Sequence, residues 1–547
     1  MGTYLNPGNE AFARICKTKY TDKTGLIALI NERIGSEESL ICISRPRRFG
    51  KSYVAKMLAA YYDCTCDSHA LFADKKIAQS ESYETHLNKY NVITLDIAGL
   101  ISEMNLENKS LKTFPTLIKK VIQKDLVTHG FDVKEDDSLN DSLVYCANKT
   151  QKQFIFIIDE WDAIIREADP ETQTIYLSLL RSWFKNNNFT PKVVAAAYMT
   201  GILPIKKEKT PSGPSQSAIS DFREYTMLQP SVFAPYFGFT EDEVKRICKE
   251  NNLDFVKAKH WYDGYTIGAV HSMYNPFSVM SAVDHHQFRS YWKRTSAAEG
   301  LLMYIDMDQD GLQDVIARLI AGESVEVDTD SFQNDITTFT CKDDVLTLLI
   351  HLGYLNYEEE VPNDDEDYEA EIQGFVKIPN QEVRIEFNKI LRKATHKDLI
   401  ALLKRSDQLL QDTLAGNNEA VAKAIQEVHE TNYAPTLYNN EQALRYTVKM
   451  SYISCVDQYA KIEELPTGHG IADLVFVPKR RSPLSLMIIE LKWNKGVKGA
   501  IQQIKDRNYQ CLPKDFVEAG AEIVLVGIDY NTKTKKHTCL IEKVHVG

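Results

Sequence analysis

Leu40-Ile-Cys-Ile-Ser44 runs into Arg45-Pro-Arg-Arg-Phe-Gly-Lys-Ser52, and Ser52 to Tyr62 then carries a helical pattern. An apolar strand, a tight loop ending Gly-Lys-Ser and a helix make a cradle for phosphate, because backbone N–H groups and the positive helix N-terminus face the anion. Gly50 lets the backbone approach, Lys51 would reach the β and γ phosphates of a nucleotide, and the Ser52 hydroxyl would ligate Mg2+. Arg45 stands where such loops usually begin with glycine, and a lone Gly-Lys-Ser before a helix also arises by chance.

A second element is therefore needed, and it follows roughly 110 residues downstream. Phe154-Ile-Phe-Ile-Ile158 reads as a fully buried strand whose end carries Asp159-Glu160. Carboxylates at the C-terminal end of a parallel strand lie on its ligand-binding edge, so Asp159 can hold a hydrated Mg2+ and Glu160 can orient an attacking water. A surface acidic pair after a core strand would read the same in isolation. Arg47 and Arg48 either neutralise phosphate charge, contact a neighbouring subunit, or are solvated loop charges.

Around these motifs, short apolar strands alternate with helices, which predicts an α/β fold with a parallel sheet covered by helices. Leu40–Ser44, 92–97, Phe154–Ile158, 193–200 and 225–228 read as strands, and 206–217 as a mobile loop at the sheet edge. This first domain is expected over 1–238. A largely helical middle region follows over 239–400, opening on Thr240 as N-cap with Glu241, Asp242 and Glu243 behind it. Within it, a helix over 344–352 and a β-hairpin tipped by the acidic run 358–371 suggest a winged-helix-like unit. Residues 401–547 read as helices at 399–430 and 441–455, strands at 471–477 and 486–491, a helix at 500–509 and a strand at 522–528.

With 547 residues, 44% hydrophobic and 26% charged, the chain can bury real cores. A net charge of −12 argues against nucleic acid coating the whole surface but leaves room for a local basic cleft. The apolar runs are far shorter than the roughly 20 residues that span a bilayer, so no membrane segment or secretion signal is expected. Ten scattered cysteines fit a reducing cytoplasm. Cys64, Cys66 and His69 cluster without a fourth ligand and read as a helix exit rather than a zinc site.

Several further motifs occur in order: Tyr20-Thr-Asp-Lys-Thr24, Asp159-Glu-Trp-Asp162, Tyr198-Met-Thr-Gly-Ile-Leu203, Phe237-Gly-Phe-Thr-Glu-Asp-Glu-Val244, Trp261-Tyr-Asp-Gly-Tyr265 and Tyr274-Asn-Pro276. With the loop at 45–52, they resemble the bacterial AAA-ATPase-like proteins that carry a C-terminal PD-(D/E)XK nuclease-superfamily domain, and the resemblance covers nearly the whole chain. In that family the loop is typically Arg-Pro-Arg-Arg-Phe-Gly-Lys-Ser, so Arg45 follows the pattern; Trp161 departs from a common tyrosine. The resemblance implies a P-loop NTPase fold in which Arg47, Arg48, Phe49, Gly50, Lys51 and Ser52 form the nucleotide-binding loop. It also implies that Thr200 takes a polar sensor position near the γ-phosphate.

Near the C-terminus, Gly470-Ile-Ala-Asp473 opens one strand and Met487-Ile-Ile-Glu-Leu-Lys492 closes another. Glu490 and Lys492 share a face while Leu491 points the other way. Positions 473 and 490 are symmetric about a point between Arg481 and Ser482, so a hairpin turning there sets Asp473 opposite Glu490. Asp473 and Glu490 would bind Mg2+ beside a scissile phosphate, and Lys492 would position or activate the attacking water. This resembles the PD-(D/E)XK core of a restriction-endonuclease-like α/β domain. The resemblance adds Glu441 on the preceding helix and Gln503 with Tyr509 on the following one, with Ile471 where arginine is common. In an exposed strand, the same three residues would be an ordinary cross-strand ion pair. Lys479, Arg480, Arg481, Lys495 and Lys498 would supply positive charge for a polyanion, or simply solubility.

Together these readings predict an ATP- and Mg2+-dependent cytoplasmic protein whose nuclease domain acts on DNA or RNA, with a homo-oligomer allowed. The alternative is a nucleotide-switched binding or signalling protein whose nuclease-like domain does not cleave.

Overall fold

The computed structural model of the chain describes residues 2–205, 207–210, 213–217, 222–292, 311–330, 332, 339, 341–360, 373–391, 397–432, 441–466, 471–478, 484–506 and 522–545. It divides into two compact units, residues 1–291 with 327–379, and residues 292–326 with 380–547. The segment 239–400 is thus shared between both units.

The first unit is built on five parallel strands: β1 (Leu40–Ser44), β2 (Asn91–Asp96), β3 (Phe154–Asp159), β4 (Val194–Gly201) and β5 (Arg223–Tyr225), in the order β2-β3-β4-β1-β5. Because neighbouring side chains leave a strand on opposite faces, the sheet feeds two cores. Phe154, Phe156 and Ile158 join Ile93, Leu95 and Met199 on one face, packed with Phe114, Ile118 and Ile122 of the helix Phe114–Thr128. Ile155 and Ile157 join Ile41, Ile43 and Tyr198 on the other, packed with Val54, Met57 and Leu58 of the helix Lys51–Tyr62. Burial on both faces is why β3 and β4 read as continuous apolar runs. Each fully buried Ile or Phe there stabilises the fold by about 1.5–3 kcal/mol.

Several boundaries differ from the sequence reading. Ile97 begins a helix, because the Asp96 side chain accepts the Gly99 N–H and caps it. Residues 190–193 form a helical turn ahead of β4, and β5 covers Arg223–Tyr225 rather than 225–228. The expected loop at 206–217 instead contains the antiparallel strands Lys207–Thr210 and Gly213–Ser217. A two-stranded ribbon is held by backbone hydrogen bonds and does not require the apolar alternation of a half-buried strand. Residues 206, 211, 212 and 218–221 lie outside the described set.

The same unit continues into the helices Glu241–Glu250, Phe255–Tyr262 and Pro276–His285 around Val244, Ile247, Tyr262, Tyr274 and Val279. Thr240 and Glu243 form a full capping box, which is the start expected from Thr240. The helix Lys342–Leu352 leads into the antiparallel strands Asn356–Glu360 and Gln373–Lys377. Residues 361–372, the bulk of the acidic run, lie outside the described residues.

The second unit holds a five-stranded mixed sheet in chain order: β6 (Tyr459–Pro466), β7 (Ile471–Pro478), β8 (Leu486–Trp493), β9 (Glu522–Asn531) and β10 (Lys536–His545). All neighbours are antiparallel except β8 and β9, which run parallel. Leu474, Phe476, Met487, Ile489 and Leu491 form one core with Leu444 and Val448 of the helix Glu441–Ser451. Val475, Ile488, Ile523 and Leu525 form the other with Ile501 and Ile504 of the helix Val497–Asp506. The helix expected at 500–509 thus starts earlier, and Tyr509 lies outside the described residues, as do Gly470, Lys479, Arg480 and Arg481.

Candidate functional site

Pro46 disfavours helical backbone at Arg45, so the chain leaves β1 extended before the loop turns back. Arg48 and Gly50 have φ of 71° and 89°, which complete the turn. A Cβ built at Gly50 meets no atom within 4 Å, so the loop is open on that side. Gly50 caps the helix Lys51–Tyr62 without a side-chain bond, and the first turn has no acidic residue. Its first N–H groups therefore have no side-chain cap, the arrangement that suits a phosphate.

Side chains around the loop divide into supports and reaching groups. Arg45 is fully buried, and its Nη1 donates to the carbonyls of Ser44, Tyr225 and Thr226 at 2.7–2.9 Å, so it braces β1 against the end of β5. Phe49 is also buried, edge-on to Tyr265 at 5.3 Å, and its carbonyl accepts the Gly238 N–H. Its ring is spent on packing, and only its backbone remains for a ligand. Arg48 lies 4.3 Å over the Phe277 ring and donates to the Tyr291 carbonyl. Lys51 Nζ donates to the carbonyls of Arg45 and Pro46 at 2.8 and 2.9 Å. Burial pulls its ammonium down to about 8, while Asp159, Asp162 and Glu160 favour its charged form. Ser52 is exposed at the helix start, and Arg47 is partly exposed.

The ends of β3 and β4 meet at Asp159, whose charge acts on Lys51. The Thr200 hydroxyl donates to Asp159, and the Trp161 N–H donates to the Thr200 carbonyl at 2.9 Å. Glu160 follows with a φ of 51°, and burial raises its carboxyl while Arg166 opposes the shift. Trp161 and Asp162 press on Gly201, where a Cβ would come within 2.7 and 2.8 Å of them. Asp162 is fully buried and accepts the N–H groups of Ile202 and Leu203 at 3.2 and 3.1 Å. Sequence reasoning gave no role to Asp162 or Arg166; their i, i+4 spacing after Glu160 was the available signal.

In the second unit, the observed register pairs Leu474 with Ile489, Val475 with Ile488 and Phe476 with Met487. One step further along the same register brings Asp473 beside Glu490, as the symmetry argument requires. Asp473 accepts Arg445 Nη2 at 2.9 Å and the Leu491 N–H at 2.8 Å. Glu490 is almost fully buried and bonds to Lys492 Nζ at 3.0 Å and to the Gln503 amide. Asp473, Glu490, Lys492 and Gln503 therefore converge. From the helix carrying Glu441, the contact to Asp473 is made by Arg445 one turn on, a residue that the sequence reading missed. Lys495 and Lys498 are exposed.

The Cys64–His69 group is held locally, with His69 bonded to Asp67 and Glu84. Among the described residues, no three His, Cys, Asp or Glu side chains converge as a metal cluster. Two-ligand sites remain compatible with Mg2+, which usually keeps several of its waters.

Residues 8–210 match the protein family described as predicted AAA-ATPase, AAA-ATPase-like. Over 96% of both chains, the sequence is 21% identical to an uncharacterised protein in the vnfD 5′ region of Azotobacter chroococcum. The Walker-type ATPase of Pyrococcus abyssi is similar at 14% identity and a TM-score of 0.32, covering 66% of this chain and 95% of that one. The ORC2 protein of Aeropyrum pernix is similar at 12% identity and a TM-score of 0.28, covering 68% and 95%. The family match places an AAA-ATPase-like domain within residues 8–210. None of its described helices is long and apolar enough to cross a membrane.

Proposed function

We propose that the protein binds ATP with Mg2+ and hydrolyses it at the loop 45–52, and that ATP controls a Mg2+-dependent phosphodiester-cleaving site in the second unit that acts on DNA or RNA. The observation carrying the first half is that Asp159, held by the Thr200 hydroxyl, and Glu160 lie near enough to Lys51 to favour its charge, at an open loop that starts a helix. The donor set fits the nucleotide: Lys51 neutralises phosphate oxygens, while Ser52 and Asp159 would hold the ion. Mg2+ supplies charge neutralisation between the phosphates. Glu160 orients the attacking water through its carboxylate, and Thr200 fixes the Asp159 carboxylate by donating to it.

The second half rests on the convergence of Asp473, Glu490, Lys492 and Gln503. Asp473 and Glu490 would hold the metal, and Lys492 would steady the charge that develops on the phosphate. A second reading is favoured by one observation: both carboxylates already have cationic partners, Arg445 and Lys492. In that reading the second unit binds a partner without cleaving, under nucleotide control. Incubating the protein with labelled single- and double-stranded DNA and RNA, with and without Mg2+ and ATP, separates the two. Metal-dependent cleavage supports the first reading, and binding without cleavage supports the second.

A further inference from the structure

Glu160 needs a fixed carboxylate to orient water, yet it emerges from β3 on a turn with positive φ and its side chain is about one third exposed. Six residues on, Arg166 lies in the short helix Ala163–Glu167 with its side chain 13% exposed. Its Nη2 is 3.5 Å from Glu160 Oε2, and its Nε donates to Asp162 Oδ2 at 3.1 Å. Asp162 is itself clamped by the N–H groups of Ile202 and Leu203, the two residues that follow Gly201 at the end of β4. One planar guanidinium therefore lies between two carboxylates, hydrogen-bonding the one anchored in the core and attracting the one at the site through charge, without a hydrogen bond to it.

From this geometry we infer that Arg166 is the positioning residue for Glu160, transmitting the fixed position of Asp162 and the β4 end to the water-orienting carboxylate. The inference rests on the hydrolysis reading above. Arg166 acts through Glu160 and makes no contact of its own with phosphate. Removing it therefore slows turnover without weakening ATP binding, and only while Glu160 retains its carboxylate.

The test is a double-mutant cycle on the full chain, with single-turnover ATP hydrolysis, ATP binding by calorimetry, and thermal melting. Arg166→Gln is expected to lower the hydrolysis rate about 10- to 100-fold with ATP affinity unchanged, and Arg166→Lys, which keeps the charge but not the guanidinium plane, to recover only part of it. In a Glu160→Gln background, Arg166→Gln should give no further loss. Wild-type turnover by Arg166→Gln, or an equal further loss in the Glu160→Gln background, overturns the inference. If Arg166→Gln unfolds, Arg166→Lys decides by the same cycle. Wild-type protein that binds ATP without turnover overturns the hydrolysis reading and this inference with it. Turnover abolished by Glu160→Gln but unaffected in the Arg166 variants overturns this inference alone.

Discussion

The Thr200 hydroxyl donates to the Asp159 carboxylate, which ties the end of β4 to the end of β3 at one of the charges that favour the Lys51 ammonium. Thr200 is fully buried, so this hydroxyl has no water to replace its partner. Thr200→Val keeps the shape and removes the donor; it should cost about 1–3 kcal/mol of stability, and Thr200→Ser should recover most of it. Urea denaturation of the three proteins checks this, and identical midpoints for wild type and Thr200→Val would remove Thr200 as a support for Asp159.

Gly201 is required by close approach rather than by backbone freedom. Its Cβ would fall 2.7 Å from Trp161 Nε1 and 2.8 Å from Asp162 Oδ1, and both side chains are fully buried. Gly201→Ala must displace one of them, at a cost of about 1–3 kcal/mol. Because Asp162 anchors Arg166, ATP hydrolysis should fall as well. A variant with wild-type melting and turnover would show that the neighbours yield freely.

His351 is fully buried with no hydrogen-bond partner for either ring nitrogen among the described residues, and burial, followed by the nearby charge of Arg45, holds its imidazole down to about 3. A folded-state value below the unfolded one means that this contribution to stability is complete above about pH 6.5 and is lost as pH falls toward about 3. His351→Leu lacks the titration, so its loss of stability between pH 7 and 5 should be about 2 kcal/mol smaller than that of wild type. Denaturant melts of both proteins at the two pH values measure this, and equal losses would contradict it.

The strand, loop and helix over 40–62 were legible because they are contiguous, and the strand before Asp159 and Glu160 because it is one apolar run. The register of β7 and β8 was legible too, since apolar alternation leaves one alignment that buries Leu474 with Ile489. The edge strands β6 and β10 escaped: Tyr459–Pro466 carries Lys461, Glu463 and Glu464, and Lys536–His545 is buried along little of its length. Edge strands carry charge to resist further pairing, which erases the apolar signal. Arg45, Arg166 and Arg445 could not be given partners from spacing alone, because each meets at least one group distant in sequence or bridges two others.

The proposed cleavage site predicts a separation between charge and shape. Asp473→Asn and Glu490→Gln should each abolish Mg2+-dependent cleavage while ATP binding persists, because the amides keep the shape but lose the charge that the ion needs. Glu490 is too buried for the exposed ion-pair alternative in its simple form. Lys492→Ala should therefore cost stability by about 3–5 kcal/mol as well as slowing cleavage. Cleavage retained by Asp473→Asn would remove this site from the chemistry.

The most direct test of the central claim is ATP binding by calorimetry, with Mg2+ present, alongside phosphate release, for wild type, Lys51→Ala and Glu160→Gln. The arrangement of Lys51 against Asp159 and Glu160 predicts that wild type binds and hydrolyses ATP, Lys51→Ala binds far more weakly, and Glu160→Gln binds normally but hydrolyses slowly. Equal ATP affinity for wild type and Lys51→Ala would contradict it.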